Sequence, residues 1–281
     1  MAFSLARKVS VPLQAASRSI PIASSGANHP PMDKAFRCYI AEFLGTFTLV
    51  FVGTAVAVLS GMDNMGFHGA RWLEIAFAFG FTLVVLVYVL GPVSGCHLNP
   101  AVSIPMALSG RLKWTLAPGY IIAQFIGGIA ASVVLSALLN GAPKVNENLT
   151  GLPGYLQAVN GLGANENRGL VPAVGRPKET MGDLTLLGWE AVMTAMFVFT
   201  IFAATRKDAN PAAAGLAIGG FLFVAHLVGA QLGDSSLNPA RSLGPALVQM
   251  DDALKIVWVF IVGPIVGGIV GWLLFKVTYA E

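Results

Sequence analysis

The residues of this chain that could do chemistry are few, and they come in pairs. Glu42 and Glu190 are acids inside apolar stretches, Asn99 and Asn238 each stand before Pro-Ala, and His97, His226, Cys96 and Arg241 complete the set. An ionisable side chain at membrane depth is expensive and faces a partner or a wet cavity by default. Covalent catalysis falls away first, because no nucleophile stands at workable spacing from a base and an orienting group. Cys38 and Cys96 lie in separate segments, so no disulfide framework is implied, and neither a metal site nor a cofactor is expected. What remains is non-covalent: fixed charge, helix dipoles and hydrogen-bond donors.

The two Asn-Pro-Ala triplets show how such groups could be positioned. Asn favours a helix N-cap and Pro the first helical position, so Asn99-Pro100 and Asn238-Pro239 each read as a helix start. The apolar segments that follow, Ala101 to Leu108 and Ala240 to about Val248, are roughly ten residues too short to cross a bilayer. Both are expected to be re-entrant half-helices. Gly91 to Leu98, with Pro92, Gly95 and His97, reads as a turn-rich approach to the first. Non-helical backbone at membrane depth is tolerated only where protein buries it or a cavity wets it. The carbonyls of residues 94–98 and 233–237 are therefore expected to face water.

The elements that must hold these segments are membrane spans. Of 281 residues 55% are hydrophobic and 11% charged, against about 25% charged in soluble domains. Six stretches reach span length: roughly 37–60, 72–90, 117–139, 184–204, 212–232 and 254–275. Basic residues precede the first span (Arg7, Lys8, Arg18, Lys34, Arg37) and follow the second (Arg111, Lys113), the fourth (Arg206, Lys207) and the sixth (Lys276). All four groups lie on one side, so the positive-inside rule puts both termini in the cytoplasm. The basic excess is a topology signal, and no nucleic-acid-binding stripe is present. Gly127 with Ala131, Gly215 with Gly219, and Gly263, Gly267 and Gly271 have the spacing of helix-packing contacts.

Residues 1–35 form a tail, disordered or targeting; its first 31 residues hold no acid. Residues 140–182 are a long polar loop, expected outside, and Asn148-Leu149-Thr150 in it has sequon form. The rest, 36–278, divides into two copies, about 36–139 and about 183–278. Each opens with Glu four residues before Thr, in Glu42 and Thr46 and again in Glu190 and Thr194, and each carries one Asn-Pro-Ala. Three spans per copy is an odd number, so the copies are inverted and meet at the bilayer midplane.

Over roughly 36–278 the sequence resembles the aquaporin, or major intrinsic protein, family. The resemblance rests on Ser94-Gly95-Cys96-His97-Leu98-Asn99-Pro100-Ala101-Val102, Asn238-Pro239-Ala240-Arg241-Ser242, Glu42 with Glu190, and Gly263-Pro264. It implies an all-α membrane fold of six transmembrane helices plus two half-helices, a homotetramer with one pore per subunit, and water as the permeant. It also implies a constriction at Arg241, completed by Phe79, twenty residues before Asn99, by His226, twelve before Asn238, and by Ser235, three before Asn238. Ser242 and Ala246 fit the water type, whereas Phe260-Ile261 departs from its usual Phe-Trp.

The dipoles add a reading of their own. Each half-helix N-terminus carries about half a positive charge, and two facing each other oppose cations. If the Asn99 and Asn238 oxygens cap their helices, their amide NH2 groups are left to hold a central water by its oxygen, which interrupts a proton wire. Glu42 and Glu190 are expected to accept backbone N–H bonds from the re-entrant loops. Cys96 is either an inner-mouth residue or a small residue chosen for fit; His97 is either a pH-sensitive inner-mouth group or, the favoured reading, a hydrogen-bond donor that stabilises its turn. The expectation is a passive, bidirectional water channel that excludes protons and ions, in the plasma membrane or an organelle membrane. Rival readings are a channel that also passes glycerol, ammonia or hydrogen peroxide, a proton-coupled transporter using the two glutamates, and a structural junction protein.

Overall fold

The structure is a computed structural model and describes residues 33–60, 71–140, 162–165, 182–229 and 235–279. The N-terminal tail, Asn148 and most of the long loop lie outside the described residues, as do residues 233 and 234. In hydrocarbon a backbone must bond to itself, and the described residues are helical in nine segments with no strand. These are α1 (Lys34–Leu59), α2 (Arg71–Ser94), α3 (Pro100–Leu108), α4 (Ala117–Asn140), α5 (Asp183–Ala204), α6 (Pro211–Gly229), α7 (Pro239–Gln249), α8 (Asp252–Ile256) and α9 (Val259–Tyr279). Six stretches are long and apolar enough to cross a membrane: α1, α2, α4, α5, α6, and α8 with α9 taken together.

Span ends move by a few residues from the sequence reading, and one shift matters. The second span was expected to end near residue 90, with Gly91 onward as turn, but α2 continues through Pro92 to Ser94. Pro92 removes a single amide donor, and Gly95 N–H still reaches the Gly91 carbonyl at 2.9 Å. The helix stops instead at Gly95, whose φ of +87° only glycine adopts freely.

The half-helices α3 and α7 have nine and eleven residues, which at 1.5 Å per residue gives about 14 and 16 Å, each about half of a bilayer's hydrocarbon core. Both start on an extended Asn with Pro at the first helical position. Asn99 Oδ1 accepts from Ala101 N–H at 2.8 Å, and Asn238 Oδ1 from Ala240 and Arg241 N–H at 3.0 and 3.3 Å.

Each half-helix docks on the last span of the other repeat. A Cβ added to Gly128 of α4 would lie 2.4 Å from the Ala240 carbonyl oxygen, and one added to Gly268 of α9 would lie 2.2 Å from that of Ala101. The Ala of each triplet thus sits, fully buried, on a bare patch of a partner helix. Within repeats the same device joins α9 to α5, where Gly267 and Gly271 meet the Ala191 and Ala195 carbonyls. Between repeats α2 meets α6 at Gly80 and Gly219.

Gly268→Ala is expected to destabilise the protein by about 1–3 kcal/mol, because backbone cannot yield as a side chain can. Gly220→Ala, where an added Cβ meets nothing within 4 Å, should be neutral or slightly stabilising. Thermal unfolding of the two variants in the same detergent checks the contrast.

Candidate functional site

The site is assembled from two short stretches of irregular backbone, one before each half-helix. Left-handed residues dominate them: Cys96 and Leu98 at φ +53° and Leu237 at +55°. A non-glycine residue pays for that conformation, so something must hold it. Glu42 Oε1 accepts from His97 N–H at 2.9 Å and from the Ser94 hydroxyl at 2.6 Å, while Oε2 accepts from Leu98 N–H and the Gln124 amide at 2.6 and 2.7 Å. Glu190 repeats the pattern, with Ser236 N–H on one oxygen at 2.7 Å and Leu237 N–H on the other at 2.9 Å. Both carboxylates are fully buried.

The stretches also bond to each other. Asn99 Nδ2 donates to the Leu237 carbonyl at 2.7 Å, and Asn238 Nδ2 donates to the Leu98 carbonyl at 2.9 Å. The sequence reading left both amide NH2 groups free for the path, and here one hydrogen of each is spent across the repeat interface. Both asparagines border one narrow cavity with Leu49, Leu83, Phe197 and Leu222 as its apolar wall. In the first stretch the Ser94 carbonyl takes the Tyr120 hydroxyl at 2.7 Å, and the carbonyls of Gly95, Cys96 and His97 accept no bond from the described residues.

At one end of this cavity Phe79, His226 and Arg241 come together. The Phe79 and His226 rings stack at 4.4 Å between centroids, and the Arg241 guanidinium lies 4.8 Å over the Phe79 ring. His226 Nδ1 donates to the Leu222 carbonyl at 3.0 Å, which puts its hydrogen on Nδ1. Phe79 can occupy its place only because residue 53 is glycine, where a Cβ would fall 2.2 Å from the ring. Arg241 is held from outside the repeats. Its Nη1 donates to the Gly163 carbonyl at 2.9 Å and to Asn165 Oδ1 at 2.8 Å, and Asn165 Oδ1 also accepts from the Ser242 hydroxyl at 2.8 Å. Residues 163–165 are thus a strap from the long loop, which no periodicity or motif in that loop announced. Ser235 is fully buried, and its hydroxyl accepts from Trp189 Nε1 at 2.9 Å.

A second cavity opens toward Arg111 and is bordered by Cys96, His97, Gly95 and Thr205. His97 borders both cavities, and its Nδ1 pairs with the Ser103 hydroxyl at 3.1 Å while Ser103 accepts from Gln124 at 2.8 Å. Arg111 lies 4.5 Å over the Phe202 ring and donates to Thr205 Oγ1 at 3.1 Å. Among the described residues no cluster of His, Cys, Asp or Glu could hold a metal ion. The arrangement can hold small polar molecules along one polar stripe facing an apolar wall, and it places cationic side chains beside both cavities.

This geometry agrees with what the chain is similar to. The family model for the major intrinsic protein matches residues 32–275. Aquaporin Z of Rhodopseudomonas palustris is 37% identical over 247 residues, covering 86% of this chain and 93% of that protein. Aquaporin Z of Photorhabdus laumondii is 36% identical, covering 86% and 96% respectively. Among solved structures, the aquaglyceroporin from Plasmodium falciparum shares the fold with a TM-score of 0.67 at 21% identity, covering 86% of this chain and 96% of that one. The chain belongs to the major intrinsic protein family and is an integral, multi-pass membrane channel.

Proposed function

We propose that this channel conducts water passively in both directions and excludes protons and ions. The observation that carries the reading is the crossed pair of asparagine amides. Two helix N-termini meet, each capped by an Asn whose second amide hydrogen remains for the cavity, and those donors bracket one narrow passage. A water held there by its oxygen turns its hydrogens away on both sides, and the facing helix dipoles oppose a cation. Phe79, His226 and Arg241 then act as the size gate, in which two stacked rings and a fixed guanidinium leave room for a molecule of water's size and little more. Ser235 is the fourth member of this gate by its position three residues before Asn238. Glu42 and Glu190 act as scaffolds and not proton relays, which their several hydrogen bonds to loop donors support.

On this reading the Arg111 side is cytoplasmic with both termini, the Arg241 side is outside, the working unit is a homotetramer in the lipid bilayer, and residues 36–278 are the channel domain. Cys96 and His97 stand at the inner mouth. Similarity to proteins called Aquaporin Z supports water as the permeant.

Reconstituted vesicles are expected to shrink in stopped flow about tenfold or more faster than empty ones under an impermeant osmolyte, with glycerol uptake at the lipid rate and no proton current. Glycerol uptake well above lipid would move the assignment to a polyol-passing channel, and accumulation driven by a pH step would move it to a transporter. His226→Gly removes one of the two stacked rings and is expected to raise glycerol flux by about tenfold; unchanged flux would take His226 out of the gate. Glu190→Gln turns a pure acceptor into a group with a donor face against the Ser236 and Leu237 N–H groups, and should lower stability by about 2–4 kcal/mol, read as loss of folded protein in detergent.

A further inference from the structure

Two members of the proposed gate, Phe79 and Arg241, come from different repeats, yet both are held from one place on α1. The Phe79 ring lies against Gly53. A Cβ built there would fall 2.2 Å from both Cε1 and Cζ of the ring and 2.5 Å from Cδ1. The next residue, Thr54, is fully buried and supports the strap. A Cβ built on Gly163 would lie 3.1, 3.2 and 3.3 Å from Thr54 Cβ, Cα and Cγ2. The Gly163 carbonyl in turn accepts from Arg241 Nη1 at 2.9 Å, and the Arg241 guanidinium lies 4.8 Å over the Phe79 ring. These contacts form a circuit that leaves α1 at Gly53 and returns to it at Thr54.

Adjacency on a helix makes that circuit a ruler. Consecutive Cα atoms are about 3.8 Å apart, and a helix also fixes the directions in which they point. Thr54 spends its hydroxyl inside the helix, donating to the Val50 carbonyl at 2.7 Å, which leaves its carbon atoms to the strap.

The geometry points to Gly53 and Thr54 as specificity-setting positioning residues of the gate: this step of α1 sets how far the Phe79 ring and the Arg241 guanidinium stand into the passage. The inference rests on the reading of that region as the gate. Phe79 and Arg241 border the central cavity, and Gly53 and Thr54 act from behind them. The atoms that a Cβ at Gly53 meets are the tip of a side chain, which can turn, whereas those met at Gly268 are backbone. A methyl at position 53 therefore moves the ring more than it opposes folding. With His226 stacked on the ring at 4.4 Å and the guanidinium over it, the ring yields away from α1, toward the cavity it borders.

The test measures water and glycerol permeability, per folded channel, of vesicles holding the full-length protein. Gly53→Ala is expected to lower water permeability about fivefold or more. Adding Phe79→Leu should bring the water rate back to within about twofold of the parent, because neighbours in contact are coupled. Thr54→Ala removes the methyl under the strap and is expected to raise glycerol flux several-fold, and Thr54→Val, which restores that methyl, should reverse the rise. A role confined to helix packing would change the yield of folded protein and move neither rate per channel. Water permeability unchanged in Gly53→Ala, a loss that Phe79→Leu does not relieve, or equal glycerol flux in the two Thr54 variants overturns the proposal. If Gly53→Ala does not fold, the Thr54 pair decides. Phe79→Leu alone separates this inference from the reading beneath it. It is expected to raise glycerol flux about tenfold, and unchanged flux would take Phe79 out of the gate and defeat that reading, whatever the α1 variants do.

Discussion

Two short runs of irregular backbone, Gly95–Asn99 and Ser235–Asn238, lie where the half-helices meet, and hydrocarbon offers them nothing to bond with. An unpaired buried N–H costs about 1–3 kcal/mol, and a left-handed non-glycine residue adds its own cost. Glu42 and Glu190 answer both demands by receiving the N–H groups of the two residues that precede the asparagines or their immediate neighbours. A carboxylate suits the task because it only accepts and has two oxygens, which matches two successive amides. Burying an uncompensated charge would be prohibitive, so loop and acid are mutually dependent. Neither arrangement is stable without the other, and the half-helix N-termini stay where they are because both are present.

The inverted repeat multiplies this dependence. Each half-helix belongs to one repeat by sequence and docks on the last span of the other through Gly128 or Gly268, and each asparagine bonds to the other repeat's carbonyl. The repeats therefore complete one another's interior. A further regularity links the residue two before each asparagine to the residue four after it, His97 to Ser103 and Ser236 to Ser242. The symmetry then breaks at the third partner. Gln124 of α4 donates to Ser103, whereas Asn165, from the long loop, accepts from Ser242 and from Arg241. One side is braced by a span and the other by a loop, which ties the loop to the arginine.

Sequence alone carried the elements that local chemistry determines. Asn-Pro marks a helix start wherever it occurs, the length of an apolar run decides whether it can cross, and a buried acid at matched positions of a repeat asks for matched donors. It carried less wherever the answer lies in which surfaces meet. Nothing local about Gly53 says that the Phe79 ring will lie over it, and nothing in the polar loop says that Gly163 and Asn165 will return to Arg241. The glycines singled out by spacing, Gly263, Gly267 and Gly271, do pack α9 on α5, but Gly128 and Gly268, which seat the half-helices, fall beside that pattern. Pro92 was read as a breaker, and its helix ran on because the next turn had other donors. Spacing placed Ser235 at the gate and could not tell that its hydroxyl would pair with Trp189, 46 residues away.

The proposed selectivity follows from how charge is distributed around the passage. The Arg241 guanidinium donates to a carbonyl and an amide oxygen and lies over an aromatic face, all neutral groups, while the two buried carboxylates are turned to backbone N–H groups of the loops. The negative charge is thus committed to holding the backbone, and positive potential is left facing the cavity. A unit charge opposing a cation at about 5 Å in a medium of effective dielectric about 20 is worth ~3 kcal/mol, and two half-charges from the helix ends act in the same sense. A cation must also shed water against the wall of Leu49, Leu83, Phe197 and Leu222, which gives it no replacement ligands on that side. A water molecule meets neither obstacle, because it has no net charge and needs only the polar stripe for its hydrogen bonds. The scaffold that stabilises the irregular backbone and the field that sorts permeants are therefore set by the same residues, and a change that weakens Glu42 or Glu190 would disturb both together.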